Sequence, residues 1–255
     1  MNWREKLDKF LADFEHTKIL SGVLICGSYI TGNPTKHSDL DTHLILKPDT
    51  NFRERGNRII DGLIIEYFAN PSVQIHKYFD DDFKQQRLMS QTQFATGCII
   101  MDKEGEVAEL KKKATRMIED FYKQDVNEIS VLKKYFIWDM SDNLQDAFET
   151  NRPDFDFLYF NYLDSLIATY MQFIKRPYNK YTILGNINNS AVKAKYLLKD
   201  LPDTEIADLI AECIVTPANS MQEKIRIYQE LSQKILDILG GFDIGNFTFK
   251  SKLDV

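Results

Sequence analysis

Apolar positions recur along the chain with two different periods, and the change from one to the other divides it. Over residues 2–16, Trp3, Leu7, Phe10, Leu11 and Phe14 stand at the spacing of one buried helix face. Three short apolar runs follow, Gly22 to Cys26, His43 to Lys47 and Leu63 to Phe68. Each is too short for a helix of its own, so they read as strands. A polar helical stretch is expected from about Pro71. A fourth strand is expected over Gly97 to Met101, closed by the turn Asp102-Lys103-Glu104-Gly105. Beyond it no strand pattern returns. Asn127 to Thr150, Asp154 to Lys175, Ala191 to Asp200, Asp203 to Cys213 and Asn219 to Leu239 read as helices, with Gly240-Gly241 as a stop. The run Lys111-Lys112-Lys113 reads as the solvated face of a helix. The expected layout is an α/β (α+β) domain over residues 1–122 followed by an all-α domain over residues 123–255.

Composition supports a folded chain and narrows its partners. Of 255 residues, 44% are apolar and 27% charged, enough apolar surface to form a core, while eleven glycines and seven prolines favour long elements over tight turns. A net charge of −6 lacks the basic surplus that nucleic-acid backbones demand, so no nucleic-acid partner is expected. Cys26, Cys98 and Cys213 are odd in number and far apart, without the spacing of a disulfide framework or a zinc site. The first residues do not resemble a signal peptide, and the apolar run Ile19 to Ile30 is broken by Ser21, Gly22, Gly27 and Ser28. A cytoplasmic protein with no membrane partner is the expectation.

The candidate chemistry is concentrated between the first two strands. The segment Gly27-Ser28 to Asp39-Leu40-Asp41 begins where one strand stops and ends where the next begins. Aspartate is depleted in strands, yet two stand at i and i+2 beside Leu44-Ile45-Leu46, and alternate strand residues share a face. Two carboxylates aimed at one point repel each other unless a cation lies between them, and hard oxygen ligands suit Mg²⁺ bridged to phosphates. Gly27 would let a phosphate approach the backbone amides, and the Ser28 hydroxyl would donate to it. Glu66, a charge inside the apolar run Leu63-Ile64-Ile65-Glu66-Tyr67-Phe68, supplies a candidate third acid.

Gly-Ser, ten intervening residues, Asp-Leu-Asp and a later acid on a neighbouring strand resemble the nucleotidyltransferase superfamily of the DNA polymerase β type. The appended helices resemble those of antibiotic nucleotidyltransferases acting on aminoglycosides and lincosamides. The resemblance implies a small mixed sheet and a helical-bundle domain that binds substrate. It also implies Mg²⁺, as two ions in the active complex, held by Asp39, Asp41 and Glu66. The nucleoside triphosphate, ATP or another, would be held by Gly27 and Ser28. It further implies that Lys180, after a long helix, reaches the triphosphate. The reaction implied is transfer of a nucleoside monophosphate to a hydroxyl of a small molecule, with release of pyrophosphate. Nucleotidylation of a protein hydroxyl and a catalytically silent nucleotide-binding module remain the alternatives.

Softer signals lie elsewhere. Tyr135, Asp139, Asp142 and Asp146 form one helical stripe that reads either as a solvated face or as one wall for a cationic acceptor held between the domains. Tyr159, Phe160, Tyr162, Tyr170 and Phe173 read first as core, Cys26 as inert packing, and His37 and His43 as structural. Acceptor, base preference and oligomeric state are not encoded in any motif.

Overall fold

Five strands form one mixed sheet, and its register brings the acidic residues side by side. In the computed structural model, which describes residues 2–126, 128–217 and 220–251, the strands are β1 (Leu20–Ile25), β2 (Leu40–Leu46), β3 (Glu54–Ile60), β4 (Leu63–Pro71) and β5 (Cys98–Asp102). Their order is β3-β4-β2-β1-β5. Only the β2 and β4 pair is parallel, with Asp41 opposite Glu66; β1 runs antiparallel to β2 and β5, and β3 antiparallel to β4.

Strand parity sorts the side chains onto two faces. Leu40, Leu44 and Leu46 of β2 and Leu63, Ile65, Tyr67 and Ala69 of β4 pack with Leu7 and Phe10 of α1 (Trp3–Ala12). The side chain of Asn2 caps that helix by accepting from the amide of Arg4 at 3.4 Å. Leu24, Cys26 and Ile45 pack on the other face, against residues of α3 (Ser72–Lys84), α4 (Met89–Thr96) and α5 (Glu106–Phe121). Asp41 and Glu66 belong by parity to this second face, and a one-residue slip would exchange them for core leucines and isoleucines. A single turn of helix, α2 (Ser28–Thr31), follows β1.

Two local expectations are corrected here. β3 had no place in the apolar pattern, because Glu54-Arg55-Gly56-Asn57-Arg58 is polar; it is an edge strand whose residues are all half-buried or exposed, and charge on such an edge discourages pairing with another chain. Lys111 is not merely solvated. Its ammonium donates to the carbonyls of Ala95 and Gly97 at 2.7 and 2.6 Å, tying off the end of α4.

The chain divides into two units, Met1–Lys123 with Ala194–Leu197, and Gln124–Lys193 with Leu198–Val255. The helices from residue 131 onward are α6 (Val131–Glu149), α7 (Phe155–Phe173), α8 (Ile183–Asn188), α9 (Ser190–Tyr196), α10 (Thr204–Val215) and α11 (Met221–Ile238). The expected helix starts at Asn127 and Asn219 lie outside the described residues. The sequence pattern missed α8. α9 stops short of Asp200, with Leu197 at φ 56°, a left-handed conformation that cannot continue a helix. The core holds Tyr159, Leu166 and Tyr170 of α7, Ile206 and Ile210 of α10, and Tyr228, Leu231 and Ile235 of α11. Phe160 departs from the core reading: it is 46% exposed, and Phe157, one turn earlier on α7, is 71% exposed. The fully buried ammonium of Lys224 is held by Asp156 at 2.7 Å and by the rings of Tyr159 and Phe160. The fold class is therefore an α/β unit with a small mixed sheet followed by helices, and no helix among the described residues is long and apolar enough to cross a membrane.

Candidate active site

Asp39, Asp41 and Glu66 come together, with one carboxylate oxygen of each lying within 4.8 Å of the others. Asp39 is the residue before β2, Asp41 its second residue, and Glu66 stands across the parallel ladder from Asp41. All three are half-buried. Burial, then the charge of Asp39, then that of Glu66 push the Asp41 carboxyl up to about 6. The neighbouring charges oppose ionisation of Asp41, a penalty that a hard cation would relieve, and an all-oxygen donor set suits Mg²⁺. On donor chemistry the residues present fit that ion.

The turn after β1 closes over the same carboxylate. Gly27 has φ 72°, and a β-carbon on it would lie 2.0 Å from Oδ2 of Asp41, so the backbone reaches the acid only because no side chain intervenes. The amide of Cys26 donates to the carbonyl of Asp41 at 3.0 Å, which fixes β1 and β2 at this point. The Cys26 thiol is buried, and burial with the two aspartates pushes its pKa far up, so it is no nucleophile.

Arg55 of β3 was not foreseen. Its Nη2 and Nε donate to Oε1 of Glu66 at 2.6 and 3.3 Å, and its guanidinium lies over the ring of Phe68. A signal existed: Asp61-Gly62 between Ile60 and Leu63 is a two-residue hairpin turn, with both residues at positive φ, and it predicts an antiparallel partner before β4. Of the two motif histidines, His43 is buried and stacks on Phe68 with ring centroids 5.3 Å apart, while its Nε2 has no hydrogen-bond partner among the described residues. His37 is exposed.

The remaining candidates lie in the helical unit. Lys180 stands 3.9 Å from Asp164, which also accepts from the Tyr178 hydroxyl at 2.5 Å. These residues line an open cleft of about 520 Å³ with Asp156, Phe157, Phe160 and Tyr181. Tyr135 donates to Asp139 at 3.2 Å, and its ring stacks on Phe247; Asp142 and Asp146 are exposed.

No family model and no curated protein matches the chain. Among solved structures, it is similar to a nucleotidyltransferase-like protein from Exiguobacterium sibiricum, with a TM-score of 0.45 and 9% identity, covering 92% of this chain and 73% of that one.

Proposed function

We propose that the protein transfers a nucleoside monophosphate from a nucleoside triphosphate to a hydroxyl of a small molecule, aminoglycoside- or lincosamide-like, and releases pyrophosphate. The observation that carries this reading is the convergence of Asp39, Asp41 and Glu66 beside a glycine turn that admits no side chain. Asp39, Asp41 and Glu66 would hold Mg²⁺, which when bound neutralises charge on the phosphates and acidifies a hydroxyl in contact with it. Gly27 and Ser28 offer backbone and hydroxyl donors to phosphate oxygens, and Lys180 a further positive charge for the triphosphate.

In the reaction the acceptor oxygen forms a bond to the α-phosphorus while the bond from that phosphorus to the pyrophosphate oxygen breaks in line with it. The acceptor proton would pass to a carboxylate of the cluster, and Glu66 is the candidate base, a half-buried acid beside two others. Transfer is tested by incubating the protein with Mg²⁺, each of the four ribonucleotides and a panel of hydroxylated acceptors, reading pyrophosphate and product mass. A mass gain of one nucleoside monophosphate on an acceptor is expected. Pyrophosphate release only when protein is the acceptor would instead favour nucleotidylation of a protein hydroxyl.

A further inference from the structure

Arg55 lies opposite Phe68 in the β3–β4 ladder, two positions along from Glu66 and on the same face of the sheet. Its guanidinium is 4.8 Å from the Phe68 ring centroid, and Phe68 stacks in turn on the buried His43, so the arginine rests on a fixed platform. From there both donors go to a single oxygen, Oε1. Oε2 of Glu66 has no donor from Arg55.

The arginine is 69% exposed and the Glu66 side chain 18%, so solvent at the arginine end weakens the pair and stability alone does not account for this arrangement. The acids do. Three carboxylates within 4.8 Å repel one another, and Glu66, with the longest side chain of the three, has the most freedom to rotate away. We infer that Arg55 is the positioning residue of this site: it holds the Glu66 carboxylate beside Asp39 and Asp41 by one oxygen and leaves the other for a cation or a proton. This inference rests on the reading of the three acids as a metal site. A lysine would keep the charge but neither the planar stack on Phe68 nor the two-donor fork.

The test is a double-mutant cycle on the full chain, read by Mn²⁺ binding in electron paramagnetic resonance and by kcat and nucleotide KM for pyrophosphate release. Arg55→Met should weaken Mn²⁺ binding and lower kcat by about tenfold each, with nucleotide KM changed less than about twofold. Glu66→Gln, which removes the carboxylate itself, should weaken Mn²⁺ binding at least as much and lower kcat further, by about 100-fold or more, and the double variant should be no worse than Glu66→Gln alone. Arg55→Lys should fail to restore either quantity. Additive effects of the two substitutions, wild-type Mn²⁺ affinity and kcat in Arg55→Met, or full recovery in Arg55→Lys would each overturn the positioning role. Asp41→Asn separates this from the site itself. If Asp41→Asn binds Mn²⁺ as wild type does, the metal-site reading fails and this inference with it. If Asp41→Asn loses Mn²⁺ while Glu66→Gln and Arg55→Met do not, only the positioning role fails.

Discussion

Gly27 and Asp41 occupy adjoining space so closely that a methyl group on one would overlap the carboxylate of the other. Gly27→Ala therefore acts twice. The backbone at φ 72° and ψ −157°, a conformation open essentially to glycine alone, costs an alanine about 1–3 kcal/mol, and relief of the clash moves the carboxylate out of the acidic cluster. The expected result is a melting temperature lower by a few degrees and a fall in Mn²⁺ affinity and pyrophosphate release of about 10- to 100-fold. Wild-type metal binding in a folded Gly27→Ala variant would show that Asp41 is not constrained by this turn.

Asp39→Asn and Asp41→Asn should each reduce transfer by roughly 100- to 10,000-fold, the loss of a few kcal/mol of charge stabilisation. Asp41 also predicts a stability change of opposite sign. Its carboxyl keeps a proton up to about 6 in the fold, whereas an unfolded chain releases it near 3.8. The native state then binds more protons across that window, and metal-free stability falls as pH rises through it. Asp41→Asn removes this penalty, worth on the order of 1 kcal/mol after solvent screening. At pH 7.5 without Mg²⁺ the variant should melt higher than wild type, and added Mg²⁺ should stabilise only wild type.

The acids were legible because their pattern is local. Asp39 and Asp41 alternate, Glu66 interrupts an apolar run, and Gly27-Ser28 stands at a strand end. Their convergence also needs a parallel pairing of β2 with β4, which a linear pattern does not contain. β3 was hidden for the reason that makes it useful. An edge strand need bury neither face, so Glu54, Arg55, Asn57 and Arg58 carry no apolar alternation, and Arg55 acts through a partner eleven residues on. In the helical unit the same limit appears at Phe160, where helical spacing marks a face but not which way it turns.

His43 titrates in the opposite sense to Asp41. Burial holds its imidazole down at about 4, against 6.5 in an exposed chain, with the Gln93 side chain drawing it slightly upward. Between those values the unfolded chain binds the extra proton, so stability contributed by His43 is full above about 6.5 and lost as pH falls toward 4. His43→Phe keeps ring contacts to Phe68 and Phe94 and leaves no unpaired Nε2. Urea midpoints should show wild type losing on the order of 1–3 kcal/mol relative to the variant between pH 7.5 and pH 5. The comparison cancels Asp41, which both proteins retain. Parallel pH profiles would mean that burial does not hold the His43 imidazole neutral in the fold.

Lys180 is more than half exposed and only 3.9 Å from Asp164, so Lys180→Ala should leave the melting temperature within about a degree. Its proposed contact with the triphosphate predicts a nucleotide KM raised by about tenfold with kcat little changed, the signature of lost uniform binding. An unchanged KM would return Lys180 to the surface.

The acidic stripe of α6 is not equivalent along its length, and this makes the acceptor's charge testable. Asp139 accepts from Tyr135 and Asn143 at 3.2 and 3.1 Å, so its carboxylate is already committed to its own helix, whereas Asp142 and Asp146 are exposed and, among the described residues, no side-chain hydrogen bond holds their carboxylates, Asp146 interacting with Arg152 only through its charge. A polycationic acceptor would be drawn by these two exposed carboxylates first. Asp142→Asn with Asp146→Asn should weaken such an acceptor by about 3- to 10-fold at low salt and progressively less as salt screens the interaction. Asp139→Asn should act mainly on stability, through its two hydrogen bonds, by about 0.5–1 kcal/mol. Nucleotide KM, measured alongside, should move in none of these variants. If acceptor affinity is also unmoved and independent of salt, the stripe is a solvated helix face, and a neutral or weakly charged acceptor becomes the better candidate for the hydroxyl.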